Sequence, residues 1–471
     1  DGTNMEIPGF WAGGNTFKAR YDISIPGKHS YVTISNDKSI DGISGELVIE
    51  KEKTDNPLYL HGPVCRKGQD MHLSHSDGTP FYWFSDTWWM ALTKRLSFPK
   101  DFKTLLMNRT EKGFNVVQII AGLYPDMTMF DKRGENEAGF PWKEDLSAIN
   151  SEYFDRADKR IEMLVDNGVM PCIVGSWGFY MFFAGKEVLK KHWRYIIARW
   201  GAMPVCWCVA GEANMAFYNH SVSYEDHIKQ SRKDWNDITV FIKQTDPYGR
   251  LITIHPFPAT DGYDQIEDGN LLDINMLQTD HGGFASLANQ MMKVRKAVER
   301  KVLPVINAEV CYEGICGSSY ADTQRYVYLS DFLLGAAGHT YGANGIWQVN
   351  SEEMPYGASP HGAHWGNTSW KEAMSMDGSK HISLCMKYLT SLEWWNFEYH
   401  PEWVEKPCSL TACDGHFAAG IPNKVRVIYK PHFGGSFFGE INVLNIEKDI
   451  NYNSYRFNPI TSKETFLGTV M

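Results

Sequence analysis

Pro99-Lys-Asp-Phe-Lys-Thr-Leu-Leu-Met-Asn-Arg109, then Gly113 and Phe114-Asn-Val-Val-Gln-Ile-Ile120, make one helix-to-strand unit. The proline presets a first helical turn. Phe102, Leu105 and Leu106 fall on one helical face. Gly113 suits a helix C-cap, and the apolar run after it fits a strand buried on both faces. The unit recurs: Tyr153 to Asn167 puts Phe154, Ile161, Leu164 and Val165 on one side, and Gly168 precedes Val169. Apolar runs occupy 81–86, 114–120, 169–174, 205–210, 251–255, 274–278, 303–307 and 339–345. Eight such runs separated by helical spacing predict an α/β chain with a (β/α)8 barrel. An open doubly wound sheet would carry a Gly-rich phosphate loop after its first strand, and Ser85-Asp-Thr-Trp-Trp89 is not one.

Both flanks read as β. Short β-branched runs at 31–35 and 46–50 predict a small antiparallel N-terminal β domain over 1–75. The barrel follows over 76–398. Lys424-Val-Arg-Val-Ile-Tyr429, a turn at Gly434-Gly435, and Ile441-Asn-Val-Leu444 predict a small C-terminal antiparallel β domain over 399–471. The chain opens Asp1-Gly2-Thr3-Asn4, without Met, and reads as processed or trimmed.

Composition narrows the function. Of 471 residues, 43% are hydrophobic and 22% charged, which excludes disorder as the main state. The net charge of -10 with no basic run argues against a nucleic-acid partner, and no apolar stretch is long enough for a membrane span. Nine cysteines form no Cys-x-x-Cys, and neither His-x-His nor His-Glu-x-x-His occurs, so no metal or cofactor is expected. Cys408 and Cys413 are close enough in sequence to pair across a turn. A Gly-x-Ser-x-Gly nucleophile elbow is absent. Aromatic residues reach 14%, including 16 Trp, which fits either stacking on sugar rings or a large core.

Barrel chemistry collects at the C-terminal strand ends. Two carboxylates directly follow long apolar runs there: Glu212 on the fourth strand and Glu309 on the seventh. An unpaired buried charge is costly, so both are expected in the barrel mouth. Glycoside hydrolysis needs such a pair, one protonated as acid and one ionised as nucleophile or base. Asp86, Trp88, Gln118, Trp177, Asn214, His255, His281, Tyr312 and Trp347 end the other runs or follow them closely, and are the candidates for binding substrate. Trp207 and Cys208 are expected to raise the Glu212 pKa by desolvation, and Tyr312 to help hold Glu309 ionised.

Phe81-Tyr-Trp-Phe-Ser-Asp-Thr-Trp-Trp89, Arg109-x4-Phe-Asn-Val-Val-Gln118, Trp207-Cys-Val-Ala-Gly-Glu-Ala-Asn214 and Ile306-Asn-Ala-Glu-Val-Cys-Tyr-Glu-Gly314 resemble the apiosidase-like family of bacterial glycoside hydrolases. Gly9 to Tyr21 is similar to the later half of the β-sandwich that often precedes that barrel, and Tyr455 to Lys463 to the closing segment of its C-terminal β domain. The resemblance implies hydrolysis of plant cell-wall or related polysaccharides, with Glu212 and Glu309 as the catalytic pair. In two places the chain departs from relatives. Glu212 stands where the apiosidase pattern has Asp, and Gly211 where the broad retaining barrel clan has Asn. The expectation is a retaining hydrolase of plant or algal oligosaccharide or polysaccharide, acting outside the cell or in the periplasm. Glu212 is its acid/base and Glu309 its nucleophile. The alternative is a non-catalytic carbohydrate-binding barrel.

Overall fold

The computed structural model describes all residues except 1–3, 24, 51–52, 216–223, 259, 412, 414, 432–440 and 471. Eight parallel strands form its central sheet: β1 (Trp83–Thr87), β2 (Val116–Ile120), β3 (Met170–Val174), β4 (Cys206–Cys208), β5 (Ile252–Thr253), β6 (Asn275–Gln278), β7 (Val305–Glu309) and β8 (Gly338–Tyr341). Neighbours pair in the order β5-β4-β3-β2-β1-β8-β7-β6. Between β5 and β6 the ladder reduces to single contacts, among them Asp273 N–H to the Ile252 carbonyl at 2.8 Å. The result is a nearly closed (β/α)8 barrel, as the eight apolar runs predict.

Among the described residues, seven longer helices cover the barrel: α1 (Lys100–Glu111), α2 (Ser151–Asp166), α3 (Lys186–Trp200), α4 (Tyr224–Thr245), α5 (Leu287–Glu299), α6 (Ala321–Leu333) and α7 (Asp377–Thr390). The residues expected to face inward do so. Phe102, Leu105 and Leu106 of α1 and Phe154, Ile161, Leu164 and Val165 of α2 are buried. Strand residues are buried on both faces, since barrel interior and helix layer each cover one side. A polar tie crosses this core. Asp331 on α6 accepts from Asn307 of β7 at 3.0 Å and lies 2.8 Å from His339 Nδ1 of β8. Buried and bonded to one another, these groups tie α6 to the two strands behind Glu309.

Small antiparallel sheets flank the barrel. Gly27–Val32 pairs with Ser44–Ile49 on the N-terminal side. Arg20 anchors that side to the barrel through Asp158 at 2.6 Å. On the C-terminal side Val425–Tyr429 pairs with Phe417–Ile421, and Tyr452–Phe457 with Glu464–Val470. The strand expected at 441–444 is reduced to one bridge, Val443 with Val404. The turn expected at Gly434-Gly435 lies outside the described residues. Cys408 and Cys413 form no disulfide with each other, and none of the nine cysteines is in a disulfide. No helix among the described residues is long and apolar enough to cross a membrane.

Candidate active site

Glu212 and Glu309 meet in the barrel mouth through a third residue. The Gln278 side-chain amide, at the end of β6, donates to Glu212 Oε1 and to Glu309 Oε1, each at 3.0 Å. One nitrogen within 3.0 Å of both oxygens means those oxygens lie no more than 6.0 Å apart. Trp177, just past β3, donates its indole N–H to Glu212 Oε2 at 3.1 Å. His281 Nε2 lies 2.8 Å from Glu309 Oε1, and His255 Nε2 lies 3.2 Å from Glu309 Oε2.

Local backbone sets this geometry. Past their strands, the β3 and β4 chains stay paired: Gly211 N–H donates to the Ser176 carbonyl at 2.9 Å and Gly178 N–H to the Gly211 carbonyl at 2.7 Å. That pairing lays the Trp177 ring on Gly211, where a Cβ would sit 2.1 Å from a ring carbon. Any side chain at Gly211 would therefore displace the indole that holds Glu212. Glu212 itself has φ of 43°, in the left-handed region. An L-residue stays there only when its surroundings over-determine it, and such strain gathers at functional sites.

The two carboxyls sit in opposite electrostatic surroundings. Burial, then the nearby Glu309 charge, pushes Glu212 up to about 7, against the hydrogen bonds from Gln278 and Trp177. Burial also works to raise Glu309, but the contacts from His255 and His281 overcome it and bring Glu309 down to about 2. Between those two values the site holds one protonated and one ionised carboxyl, the division of labour an acid-and-nucleophile pair requires. Glu309 in turn holds His255 above its ordinary value despite that residue's burial.

The aromatic wall differs by one residue from the expected one. Trp89, not Trp88, reaches the site: its N–H donates to the Tyr312 hydroxyl at 3.0 Å, and its ring abuts Trp177 and His255. Tyr312 packs on His281 with ring centroids 4.6 Å apart and on Trp347 at 6.2 Å. The indole beside Glu212 is that of Trp177. Trp207 instead donates to Asp246 at 3.0 Å and packs on Trp193. His255 and His281, expected to bind substrate, keep Glu309 ionised, a role expected of Tyr312.

Four other expected substrate contacts are engaged by protein groups. Asp86 is fully buried and pairs with Arg109 of α1 at 2.6 Å, while its carboxylate also accepts from Trp88 at 2.8 Å. Breaking such a pair would leave an uncompensated buried charge, at a cost of roughly 3–5 kcal/mol. Trp88 is fully buried with its N–H committed to Asp86. Gln118 is fully buried and donates across the barrel to the Ala308 carbonyl at 2.7 Å. Asn214 donates to the Gln265 carbonyl at 2.9 Å and to its side chain at 3.0 Å. Sequence reasoning left Gln278 out of the site, as it did Trp89, although its place at a strand end signalled it. Among the described residues no group of three or more His, Cys, Asp or Glu is arranged to hold a metal ion.

Solved structures share this architecture. A family 5 glycoside hydrolase from Bacteroides vulgatus aligns with a TM-score of 0.72 at 19% identity, covering 90% of each chain. A structure described only as a glycoside hydrolase gives 0.72 at 20% identity, covering 89% of this chain and 93% of its own. A second B. vulgatus protein, a putative glycoside hydrolase, gives 0.63 at 21% identity, over 83% of this chain and 73% of its own. At such identities the likeness establishes the fold. No curated protein matches the sequence. Residues 67–396 match the family described as "Apiosidase-like, catalytic domain", and this stretch contains the whole barrel with both carboxylates. The chain thus belongs to the apiosidase-like family and is a glycoside hydrolase.

Proposed function

We propose that this enzyme cleaves glycosidic bonds in a plant or algal oligosaccharide or polysaccharide by a retaining double displacement. The observation that carries the reading is the Gln278 bridge, which keeps the two acceptor oxygens within 6.0 Å. If its two planar N–H bonds, about 120° apart, each point at one oxygen, the separation is about 5 Å. A retaining pair sits at about 5–5.5 Å, whereas an inverting pair needs about 6.5–9.5 Å to admit water. Glu309, held ionised by two histidines, attacks the anomeric carbon. Glu212 gives its proton to the glycosidic oxygen, and the leaving group departs. Water then gives a proton back to Glu212 while its oxygen displaces Glu309 from the sugar. Gln278 orients both carboxyls, and Trp177 keeps Glu212 aimed. Polysaccharide fragments of this kind are met outside the cell or in the periplasm, and we place the enzyme's action there.

The test is a panel of plant and algal oligosaccharides scored for new reducing ends across pH. Release is expected, with kcat/KM high between the two carboxyl values. Activity falls as pH rises through about 7, because Glu212 loses the proton it must donate. On the acid side it persists until pH nears about 2, where Glu309 becomes protonated. Binding of panel sugars without any release would instead support a binding-only barrel, in which a protonated Glu212 beside an ionised Glu309 has no task.

A further inference from the structure

Two displacements move a charge as well as a sugar. In the first, a Glu309 oxygen bonds the anomeric carbon, the glycosidic C–O bond breaks, and the departing oxygen takes the Glu212 proton. Glu309 is then a neutral ester and Glu212 a carboxylate. In the second, a water oxygen bonds the anomeric carbon, the ester C–O bond breaks, and Glu212 takes a proton from that water. One negative charge thus passes from Glu309 to Glu212 and back. Buried charge is costly at either place unless something compensates it. Glu309 has two imidazoles for that task. Gln278 and Trp177, which hydrogen-bond Glu212, are both neutral.

His255 stands where it can serve both places. Its side chain is fully buried, and Nε2 lies 3.2 Å from Glu309 Oε2. Its backbone is tied to the chain on either side of Glu212. His255 N–H donates to the Ala210 carbonyl at 3.0 Å, and Ala213 N–H to the His255 carbonyl at 3.3 Å. The Trp177 ring, whose N–H holds Glu212, abuts the imidazole with centroids 6.0 Å apart, and the Trp89 ring lies at 5.7 Å. Burial opposes a charge on this imidazole, while Glu309, Cys208 and Glu212 favour it. Of these, Cys208 is a buried thiol that donates to the Ala210 carbonyl at 3.5 Å, which leaves the two carboxylates as the anions. His281 is placed differently. It reaches Glu309 Oε1 from the loop after β6, and its side chain is 23% exposed. Water can therefore help balance a charge on His281, whereas one on His255 needs an anion at every stage.

We infer that His255 stays a cation through the whole cycle and is the counter-charge of both carboxylates in turn, of Glu309 in the free enzyme and of Glu212 in the glycosyl-enzyme. It acts through those two groups, as a positioning residue for both steps. In the second step it keeps Glu212 ionised, ready to take the proton from water. The inference rests on the double-displacement reading of Glu212 and Glu309.

Trapping the intermediate separates the steps. The dinitrophenyl 2-deoxy-2-fluoro analogue of a glycoside that the wild type hydrolyses leaves its sugar esterified to Glu309. Once excess reagent is removed, the rate of reactivation in buffer reads the second step alone. Reactivation needs Glu212 ionised, so it fails as pH falls through the Glu212 value of the intermediate. Without the His255 cation that value rises. In His255→Gln the acid limb of reactivation is expected about one pH unit or more above that of the wild type, a tenfold lower rate at a given acid pH. His281→Gln is expected to move the limb by less than about 0.3 unit. Equal limbs in wild type and His255→Gln would overturn the inference and leave His255 as a partner of Glu309 alone. If His255→Gln does not fold, neutron diffraction from wild-type crystals at about pH 6 reads the same charge. Both ring nitrogens of His255 are expected to carry a deuteron in the free and in the trapped enzyme, with Glu212 bare in the trapped one. Loss of a His255 deuteron on trapping would overturn the inference. An enzyme that hydrolyses glycosides with inversion and is not trapped would overturn the double-displacement reading, and this inference with it.

Discussion

Glu309→Gln is expected to lower kcat on the order of 10⁴-fold or more, because the replacement amide cannot attack the anomeric carbon. Gln has the same length and keeps most contacts with Gln278, so substrate binding and fold should persist. A second consequence is specific to this site. Glu212 is raised by burial and then by the Glu309 charge, so removing that charge lets its pKa fall. Titration of Glu212 by carboxyl NMR in the variant should therefore show a value below that of the wild type. Turnover within tenfold of wild type would remove Glu309 from the nucleophile's role.

Glu212→Gln is the second large effect. On a natural substrate kcat should drop about 10²- to 10⁴-fold, the range for loss of a general acid. On a dinitrophenyl glycoside the bond-breaking step should be nearly unchanged, because that leaving group needs no proton. A burst of dinitrophenolate, followed by slow turnover, is then expected as the unaided second step becomes limiting. The alkaline limb near pH 7 should vanish. Stability moves oppositely to activity. The folded value of Glu212, about 7, lies above its ordinary 4.5. The stabilisation from its protonated form is thus complete below about 4.5 and is lost as pH rises through about 7. The Gln variant, always neutral, should gain Tm relative to wild type between pH 5 and pH 8. An equal fall in kcat on natural and dinitrophenyl substrates, with no burst, would argue against the acid role.

The barrel was legible because strands covered on both sides read as unbroken apolar runs, and all eight runs are strands. Glu212 and Glu309 were legible for a related reason, as carboxylates placed straight after such runs. Side-chain direction was not. Successive strand residues face opposite ways, and turns past a strand end shift the phase, so Trp88 turned into the core and Trp89 toward Tyr312. Asp86 resembled a site residue because its partner, Arg109, lies 23 positions on, across a helix. Gln278 has no charge to flag it, and its importance comes from lying between two groups brought together only by the fold. At 441–444 an apolar run suggested a strand, but among the described residues it makes one bridge, Val443 with Val404.

The most direct test of the central claim is the configuration of the first-formed product. Proton NMR, begun within minutes of mixing enzyme and substrate and before mutarotation, reports the anomer released. With Gln278 holding the two carboxyls within 6.0 Å, the released sugar should keep the anomeric configuration of the bond that was cleaved. First appearance of the inverted anomer would contradict the account and make Glu309 the base that activates water.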